Sequence, residues 1–348
     1  MSDAGTKHTY QPLRVAKVIR ETSDACSVVF EIPPQLREAF RYRAGQFLTL
    51  EVPYQGITLR RCYSLASSPD TEQEHKITIK RVDAGRISHW VNDQLAVGDT
   101  VRVLPPEGRF VMSLEANHMV LFAGGSGITP VISIIKTALE TTARTMTLVY
   151  ANRNSDAVIF RVELDRLVRD HSARLAVIHR HDDAHGFLRA EDVGALLGGR
   201  VDAEHFLCGP AAFMDTVERG LTLAGVAGER VHIERFISPA DPKPADVVSV
   251  VPPSADAPTM IEMELAGTTH HVPYKGKTLL QTALDAGLDA PYSCEEGVCG
   301  CCMARLVEGQ VRVKDDQALS DDEKKKGYIL CCQSRPTTRT CAIKFVDQ

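Results

Sequence analysis

The stretch that decides the fold of the last third of this chain is Tyr292-Ser-Cys294-Glu-Glu-Gly-Val-Cys299-Gly-Cys301-Cys302. Its cysteines contain the spacing C-x4-C-x2-C, and a second cluster, Cys331-Cys332, follows farther along the chain. A secreted disulfide framework would be expected in a small domain behind a leader peptide, and the polar residues 1–14 do not resemble a leader's apolar core. Cysteines clustered in this way predict a metal site.

The spacing is typical of a plant-type [2Fe–2S] cluster, in which a short loop must bring three thiolates around a compact group. Gly297 and Gly300 would let backbone N–H groups approach the sulfides of such a cluster. A structural zinc site usually pairs C-x2-C with C-x2-C, which this is not. Cysteines buried without metal are the other alternative. Spacing alone does not separate Cys301 from Cys302, or Cys331 from Cys332, as ligands.

Residues 260–348 resemble plant-type ferredoxins, and the resemblance implies an α+β (β-grasp) fold. In that family the position before the fourth ligand is usually small or polar, which implies that Cys331 is a bystander. The implied metal ligands are Cys294, Cys299, Cys302 and Cys332.

Changes in composition divide the 348 residues into several domains. Residues 238–259 are rich in proline with few large side chains, which predicts a semi-rigid linker. A second, less distinct domain boundary lies near residues 113–118. We therefore expect a disordered tail, three domains and a linker, with these bounds: 1–10 tail, 11–113 first domain, 114–237 second domain, 238–259 linker and 260–348 ferredoxin domain.

The pattern of hydrophobic and polar residues differs between the first two domains. Short alternating runs separated by turn residues fill the first, which predicts an antiparallel β-barrel; examples are 47–52, 61–66, 77–82 and 100–104. In the second, strand-like runs such as 119–123 and 146–150 alternate with helical patterns, which predicts a doubly wound α/β domain with a parallel sheet. The chain is therefore expected to be multidomain.

Arg61-Cys62-Tyr63-Ser64 lies on a strand of the predicted barrel. A flavin needs a flat aromatic surface, a donor near N5 and positive charge for its phosphate, which Tyr63, Ser64 and Arg61 would supply in that order. A tyrosine on a barrel strand can equally serve core packing.

A second stretch, Lys80-Arg-Val-Asp-Ala-Gly85-Arg-Ile87-Ser88, is typical of a strand end, a glycine turn and a helix start near Ser88. A helix N-terminus suits a pyrophosphate, which favours FAD over FMN. The two stretches resemble the R-x-Y-S and G-x-x-S motifs of the ferredoxin–NADP reductase family. The flavin-site residues that this resemblance implies are Arg61, Cys62, Tyr63, Ser64, Lys80, Gly85, Ile87 and Ser88.

Ala123-Gly-Gly125-Ser-Gly127-Ile-Thr129-Pro130 lies between a predicted strand and helix, where glycines permit close approach of a pyrophosphate. It is not the G-x-G-x-x-G fingerprint, and a generic glycine turn is the alternative. The reductase family uses a G-x-G-x-x-P variant, which implies that Gly125, Gly127 and Thr129 bind the nucleotide.

Cys208-Gly209-Pro210 ends another predicted strand. A strand-end cysteine in a small packed space is the simplest interpretation without the family. The resemblance to the family's C-G-P motif implies that Cys208 lies beside the nicotinamide during hydride transfer. The stretch that contains Glu234 and Phe236 matches the segment that returns towards the flavin in that family.

The nucleotide itself is signalled weakly, because the loop after Tyr150 contains both Arg153 and Asp156. An acid in this region favours NAD and a base favours NADP. The loop leaves both nucleotides open. A resemblance to reductases that include NADH users, described below, implies NADH, with NADPH as the alternative.

Charge and hydropathy exclude some functions. A formal net charge of −5 gives no general attraction to nucleic acid. Apolar runs are far shorter than a membrane span requires, so we expect no membrane partner and a cytoplasmic location. The histidines at 179, 181, 185, 270 and 271 form no metal motif and are discounted.

The order of flavin, nucleotide and ferredoxin domains resembles the reductase components of bacterial multicomponent oxygenases, such as those of 3-ketosteroid 9-alpha-hydroxylase and phenylacetyl-CoA epoxidase. The resemblance implies an NAD(P)H-dependent oxidoreductase that passes electrons from hydride to FAD, to the [2Fe–2S] cluster and to a separate oxygenase or hydroxylase. Ser64 and Cys208 would be its catalytic residues. The alternatives are another acceptor, such as a hybrid-cluster protein or a desaturase, or a redox-sensing regulatory protein.

Overall fold

The structure, a computed structural model, describes residues 9–112, 117–236 and 257–346. Internal contacts divide the chain into two compact units. The first unit comprises Met1–Tyr10, Pro53–Cys62 and Ile237–Gln348, and the second comprises Gln11–Val52 and Tyr63–Phe236. The tail predicted at 1–10 and the linker predicted at 238–259 lie almost wholly outside the described residues.

The first sheet has six strands in the order β4-β3-β6-β1-β2-β5. Its pairs β1–β2, β1–β6, β2–β5 and β3–β6 are antiparallel. A bridge between Leu65 and Ile77 joins the chain after β4 to β5, which closes the sheet and confirms the predicted barrel. Its elements are β1 (Gln11–Thr22), β2 (Ala25–Glu31), β3 (Phe47–Tyr54), β4 (Ile57–Ser64), β5 (His75–Lys80), α1 (Arg86–Asp93) and β6 (Thr100–Glu107).

The barrel interior is filled by aliphatic side chains from alternate positions of its strands, since successive side chains on a strand point to opposite faces. Leu48 and Leu50 on β3 and Ile77 and Ile79 on β5 are fully buried. Burial of this kind stabilises the barrel by roughly 1.5–3 kcal/mol per aliphatic side chain.

The second sheet has five parallel strands in the order β11-β10-β7-β8-β9, which confirms the doubly wound α/β prediction. Its middle strand β7 is apolar and buried, as a strand covered on both faces must be. The elements are β7 (His118–Gly124), α2 (Ile128–Thr141), β8 (Thr145–Asn152), α3 (Arg161–Asp170), β9 (Leu175–His181), α4 (Asp182–His185), α5 (Ala190–Leu197), β10 (Glu204–Gly209), α6 (Ala211–Leu223) and β11 (Val231–Arg235).

One helix boundary differs from the sequence pattern. Phe160 shares the apolar spacing of Leu164 and Leu167, yet it is the N-cap of α3 with a left-handed backbone (φ 60°) and not part of the helix. It is buried and lies beneath the Lys76 ammonium group at 5.1 Å. The helix therefore begins one residue after Phe160.

The third sheet is mixed, with strand order β13-β12-β16-β14-β15, a parallel β12–β16 pair, and α7 packed on one face. This is the predicted α+β arrangement. Helix α8 carries a capping box between Ser320 and Glu323. The elements are β12 (Met260–Leu265), β13 (Thr268–Pro273), α7 (Leu279–Asp285), β14 (Met303–Val313), α8 (Asp321–Lys325), β15 (Tyr328–Leu330) and β16 (Ser334–Phe345).

Within the described ranges, every helix is too short or too polar to cross a bilayer.

Candidate functional site

The loop between α7 and β14 carries the first three candidate cysteine ligands, and the turn between β15 and β16 carries the fourth. Their thiols meet in two pairs. Cys294 is hydrogen-bonded to Cys299, and Cys302 to Cys332. The pairs are close enough for Cys299 and Cys332 to act electrostatically on the opposite pair. The structure therefore brings together all four cysteines that the sequence analysis singled out.

Backbone and side-chain N–H groups point at these sulfurs. The Glu296 N–H donates to Cys294 Sγ and the Cys332 N–H to Cys302 Sγ, each at 3.4 Å. Gln333 Nε2 donates to Cys332 Sγ at 3.4 Å. The hydrogen bond from Cys302 holds the pKa of Cys332 below its ordinary value, whereas the bond with Cys332, and then burial, raise that of Cys302.

The cysteine loop has the backbone conformation that close approach to a cluster needs. Gly297 and Gly300 both have positive φ (79° and 72°), and a Cβ at Gly297 would lie 2.9 Å from Gln333 Cγ. Two thiol pairs match a [2Fe–2S] cluster, which has four cysteine ligands on two irons. The residues present fit such a cluster.

Cys301 and Cys331 are the sequence neighbours of the proposed ligands Cys302 and Cys332. Cys301 and Cys331 are both buried, and burial raises the pKa of Cys331. The Cys331 N–H donates to the Cys302 carbonyl, whereas the thiol that is hydrogen-bonded to Cys302 is that of Cys332, which supports the bystander role of Cys331.

The two glutamates of the cysteine loop are held by arginines of the same compact unit. Arg60 Nη1 donates to Glu295 Oε1 at 2.6 Å, and Arg61 Nη1 lies 3.6 Å from Glu296 Oε2. Arg61 also donates to the Arg60 carbonyl at 2.7 Å. The side chain predicted to meet the flavin phosphate is thus drawn towards Glu296.

The other residues of the flavin motif end strand β4. Cys62 Sγ lies 4.0 Å from Ser293 Oγ in the first unit, whereas Tyr63 and Ser64 belong to the second. Ser64 is buried, and its Oγ has no hydrogen-bond partner among the described residues. An orphaned buried hydroxyl is costly unless a ligand satisfies it. Ser64 therefore fits a donor to a bound flavin.

The second flavin stretch has the predicted strand–turn–helix form. Lys80 ends β5, Gly85 is the N-cap of α1, and the helix begins at Arg86. Ile87 and Ser88 are buried. Ser88 Oγ donates to the Gly85 carbonyl at 3.1 Å and accepts from the Val82 N–H at 3.3 Å, which fixes the turn. The helix N-terminus provides a seat for phosphate.

The glycine turn after β7 and the end of β10 lie side by side, because the two strands are parallel neighbours. Gly125 has φ +51°, and a Cβ on Gly127 would lie 2.1 Å from the Cys208 carbonyl oxygen, so neither position tolerates a side chain. Thr129 Oγ1 donates to the Ser126 carbonyl at 3.0 Å. This turn leads directly into α2 and fits a pyrophosphate.

Cys208 is fully buried at the end of β10, followed by Gly209 and by Pro210 as the N-cap of α6. Burial raises the pKa of its thiol well above the ordinary value, so Cys208 is a neutral thiol and not a nucleophile. Its neighbour on β11 is Glu234. Phe236, just after β11, is 41% exposed, which leaves its ring available to a ligand.

Three family models match the chain in the order found in the structure. They are an oxidoreductase FAD-binding domain over residues 12–112, an oxidoreductase NAD-binding domain over 121–219 and a 2Fe-2S iron-sulfur cluster binding domain over 263–337.

Related proteins match this chain over nearly its full length. The ferredoxin reductase component of 3-ketosteroid-9-alpha-monooxygenase from Rhodococcus rhodochrous is 42% identical over 96% of each chain. A component of the 1,2-phenylacetyl-CoA epoxidase of Escherichia coli strain K12 is 33% identical over 97% of this chain and 98% of its own. This chain belongs to the family of oxygenase reductase components.

The solved structure of phthalate dioxygenase reductase agrees with this assignment. It is 27% identical, with a TM-score of 0.60, and covers 97% of this chain and 98% of its own. The reductase is therefore an oxidoreductase with domains for FAD, NAD(H) and a [2Fe–2S] cluster. Its family implies a nucleotide as electron donor and a separate oxygenase component as acceptor.

One feature of the reductase escaped the sequence analysis. Asp24, in the β1–β2 turn, lies 2.7 Å from Arg153 after β8 and 3.8 Å from Lys80. Partial burial lowers the pKa of Lys80, and Asp24 opposes the shift. Aspartate is common in turns, so only the tertiary fold shows that Asp24 lies beside Arg153 and Lys80.

Proposed function

We propose that this reductase takes a hydride from NADH onto FAD and delivers the electrons singly, through the [2Fe–2S] cluster, to the oxygenase component of a steroid-hydroxylating system. The proposal that electrons leave the reductase through the cluster is supported by four buried or half-buried thiols that meet in two pairs. The steroid class rests on the 42% identity to the Rhodococcus reductase, compared with 33% for the epoxidase component.

The flavin-side residues would hold FAD at its ring and at its pyrophosphate. Tyr63 would cover the ring, and Ser64 would direct its orphaned hydroxyl at the ring edge. The N-terminus of α1, with Ser88, would receive the pyrophosphate. When bound, FAD exchanges electrons in pairs or singly, which is the conversion between a hydride donor and a one-electron cluster.

The nucleotide-side residues would position NADH against that flavin. The glycine turn at Gly125–Gly127 would receive the pyrophosphate, and Thr129 fixes the turn through its bond to Ser126. Cys208 would pack its neutral thiol beside the nicotinamide. Phe236 would shield the flavin while the nicotinamide is absent.

The proposed cluster ligands are Cys294, Cys299, Cys302 and Cys332, with Cys301 and Cys331 as bystanders. The N–H donors that reach these sulfurs would stabilise negative charge on the ligands and raise the reduction potential. The domain bounds given above and the cytoplasmic location are further parts of the proposal.

Reconstitution tests the acceptor. The purified reductase would be combined with the oxygenase component of 3-ketosteroid-9-alpha-monooxygenase or, in parallel, with the oxygenase component of phenylacetyl-CoA epoxidase. We expect NADH-dependent product formation with the steroid oxygenase, at a higher kcat/KM for the oxygenase. Coupling to the epoxidase alone, with rapid NADH–ferricyanide turnover retained, would contradict the steroid assignment and leave the electron-transfer chemistry intact.

A further inference from the structure

Arg153 lies in the region where nucleotide-binding α/β domains contact the adenosine ribose. In a β–glycine turn–α–β unit, a residue near the end of the second strand meets the ribose 2′ position, an acid for NAD or a nearby arginine for NADP. Strand β8 ends at Asn152, and Arg153 follows it. An arginine at this position would by itself favour NADPH.

The strand end is held close to the glycine turn. Tyr150 OH donates to the Gly125 carbonyl at 3.0 Å, which ties β8 to the turn where the pyrophosphate would lie. The Arg153 carbonyl accepts from the Asp183 N–H at 3.1 Å, which fixes the loop backbone from its other side. The backbone from which the Arg153 side chain extends is thus fixed beside the proposed nucleotide site.

The guanidinium group of Arg153 is already bound within the protein. Its Nη2 donates to Asp24 Oδ2 at 2.7 Å. The carboxylate is itself preorganised, because its Oδ1 accepts from Thr22 Oγ1 at 2.8 Å and Lys80 Nζ lies 3.8 Å from its Oδ2. The Asp24 side chain is 22% exposed and that of Arg153 is 69% exposed, so the carboxylate is the fixed member of the pair and the guanidinium group faces solvent.

We propose that Asp24, a residue of the flavin barrel, masks Arg153 and thereby sets the preference of this reductase for NADH over NADPH. A 2′-phosphate would have to compete for the Arg153 guanidinium group with a carboxylate that is held in place, and it would meet the negative charge of that carboxylate at close range, which Lys80 offsets only in part. The ribose of NADH carries no such charge and meets no repulsion. This inference rests on the proposed NADH-dependent function.

Asp24→Asn tests the mask, since asparagine keeps the oxygen that accepts from Thr22 and removes the charge. The FAD-loaded reductase would be titrated calorimetrically with adenosine 2′,5′-bisphosphate and with 5′-AMP, which lacks the 2′-phosphate. We expect the ratio of the two affinities to shift by about tenfold towards the bisphosphate, as recovery of a charge-assisted hydrogen bond predicts. The ratio of kcat/KM for NADPH to that for NADH, measured with ferricyanide, should rise in parallel.

Two further variants serve as controls for Asp24→Asn. Adding Arg153→Gln to Asp24→Asn should erase the gain, because the unmasked guanidinium is then absent. Asp192→Asn removes a similar surface carboxylate, paired with Arg189, and should leave both ratios unchanged. An unchanged affinity ratio in Asp24→Asn, a gain that survives Arg153→Gln, or a wild-type preference for NADPH would overturn the mask. Failure of the wild-type enzyme to oxidise either nucleotide would instead refute the proposed function.

Discussion

Glu234 on β11 lies directly beside Cys208 on β10, because the two parallel strands pair in register at these residues. Its side chain is half-buried, and burial raises its pKa to about 8, although the positive charge of Arg109 opposes the shift. The carboxyl group is therefore mostly neutral at pH 7, next to the thiol proposed to face the nicotinamide.

This raised pKa predicts a pH-dependent stability. Between about pH 4.5 and pH 8 the carboxyl group is ionised in the unfolded chain and protonated in the folded one, so folding is progressively disfavoured as pH rises. Glu234→Gln removes this dependence. We expect the Tm advantage of the variant over wild type, measured by calorimetry, to grow from about pH 5 to about pH 8. An equal difference at both pH values would show that Glu234 is not neutral in the folded protein.

The cysteine assignment predicts that six cysteine-to-serine variants fall into two groups. Replacing Cys294, Cys299, Cys302 or Cys332 should abolish the [2Fe–2S] cluster, because each removes a ligand. Replacing Cys301 or Cys331 should leave it. Iron and sulfide content and the visible spectrum report the result. If Cys331→Ser bleaches the cluster and Cys332→Ser does not, the fourth ligand has been misassigned.

Lys136 is the centre of a buried ion-pair network. It is 5% exposed and pairs with Glu72 at 2.9 Å and Glu163 at 3.1 Å. Glu163 also pairs with Lys76 at 3.3 Å, and the Glu72 side chain is 30% exposed. Lys136→Met therefore leaves neither carboxylate as a fully buried, unpaired charge and should cost about 2–3 kcal/mol in the free energy of unfolding. The exposed pair of Lys17 with Glu74 offers a control, and Lys17→Met should cost roughly 1 kcal/mol or less. Urea unfolding followed by the fluorescence of Trp90, the single tryptophan, measures both. Equal losses would contradict the network's role.

Ser64→Ala should separate catalysis from stability. The Ser64 hydroxyl has no hydrogen-bond partner among the described residues, so its removal should not lower the Tm of the flavin-free protein. Turnover of NADH with ferricyanide should fall by about tenfold or more, the value of a lost donor to the flavin.

Ser133→Ala is the matched control for that variant. Ser133 is also buried, but its Oγ donates to the Ser67 carbonyl at 2.6 Å. It should lose about 1 kcal/mol of stability and keep its turnover. Retained turnover in Ser64→Ala would remove Ser64 from the proposed chemistry.

The sequence predicts those parts of the site whose structure depends on residues that are close together in the chain. The cysteine spacing and the glycines at 125 and 127 follow from what a short loop must do, so the motifs locate them directly. Side-chain direction depends on distant partners. Arg61 lies towards Glu296, and Asp24 meets Arg153 from a different domain. No local pattern encodes such pairs.

Anaerobic titration of the purified holoenzyme with NADH, followed by optical spectra and EPR, tests the proposed electron path most directly. We predict that the flavin absorbance bleaches and that the EPR signal of a reduced [2Fe–2S] cluster then appears, approaching one cluster per chain. The same titration of Cys332→Ser should bleach the flavin without that signal. A wild-type flavin that is fully reduced by NADH while no cluster signal develops would contradict transfer from the flavin to the four-cysteine site.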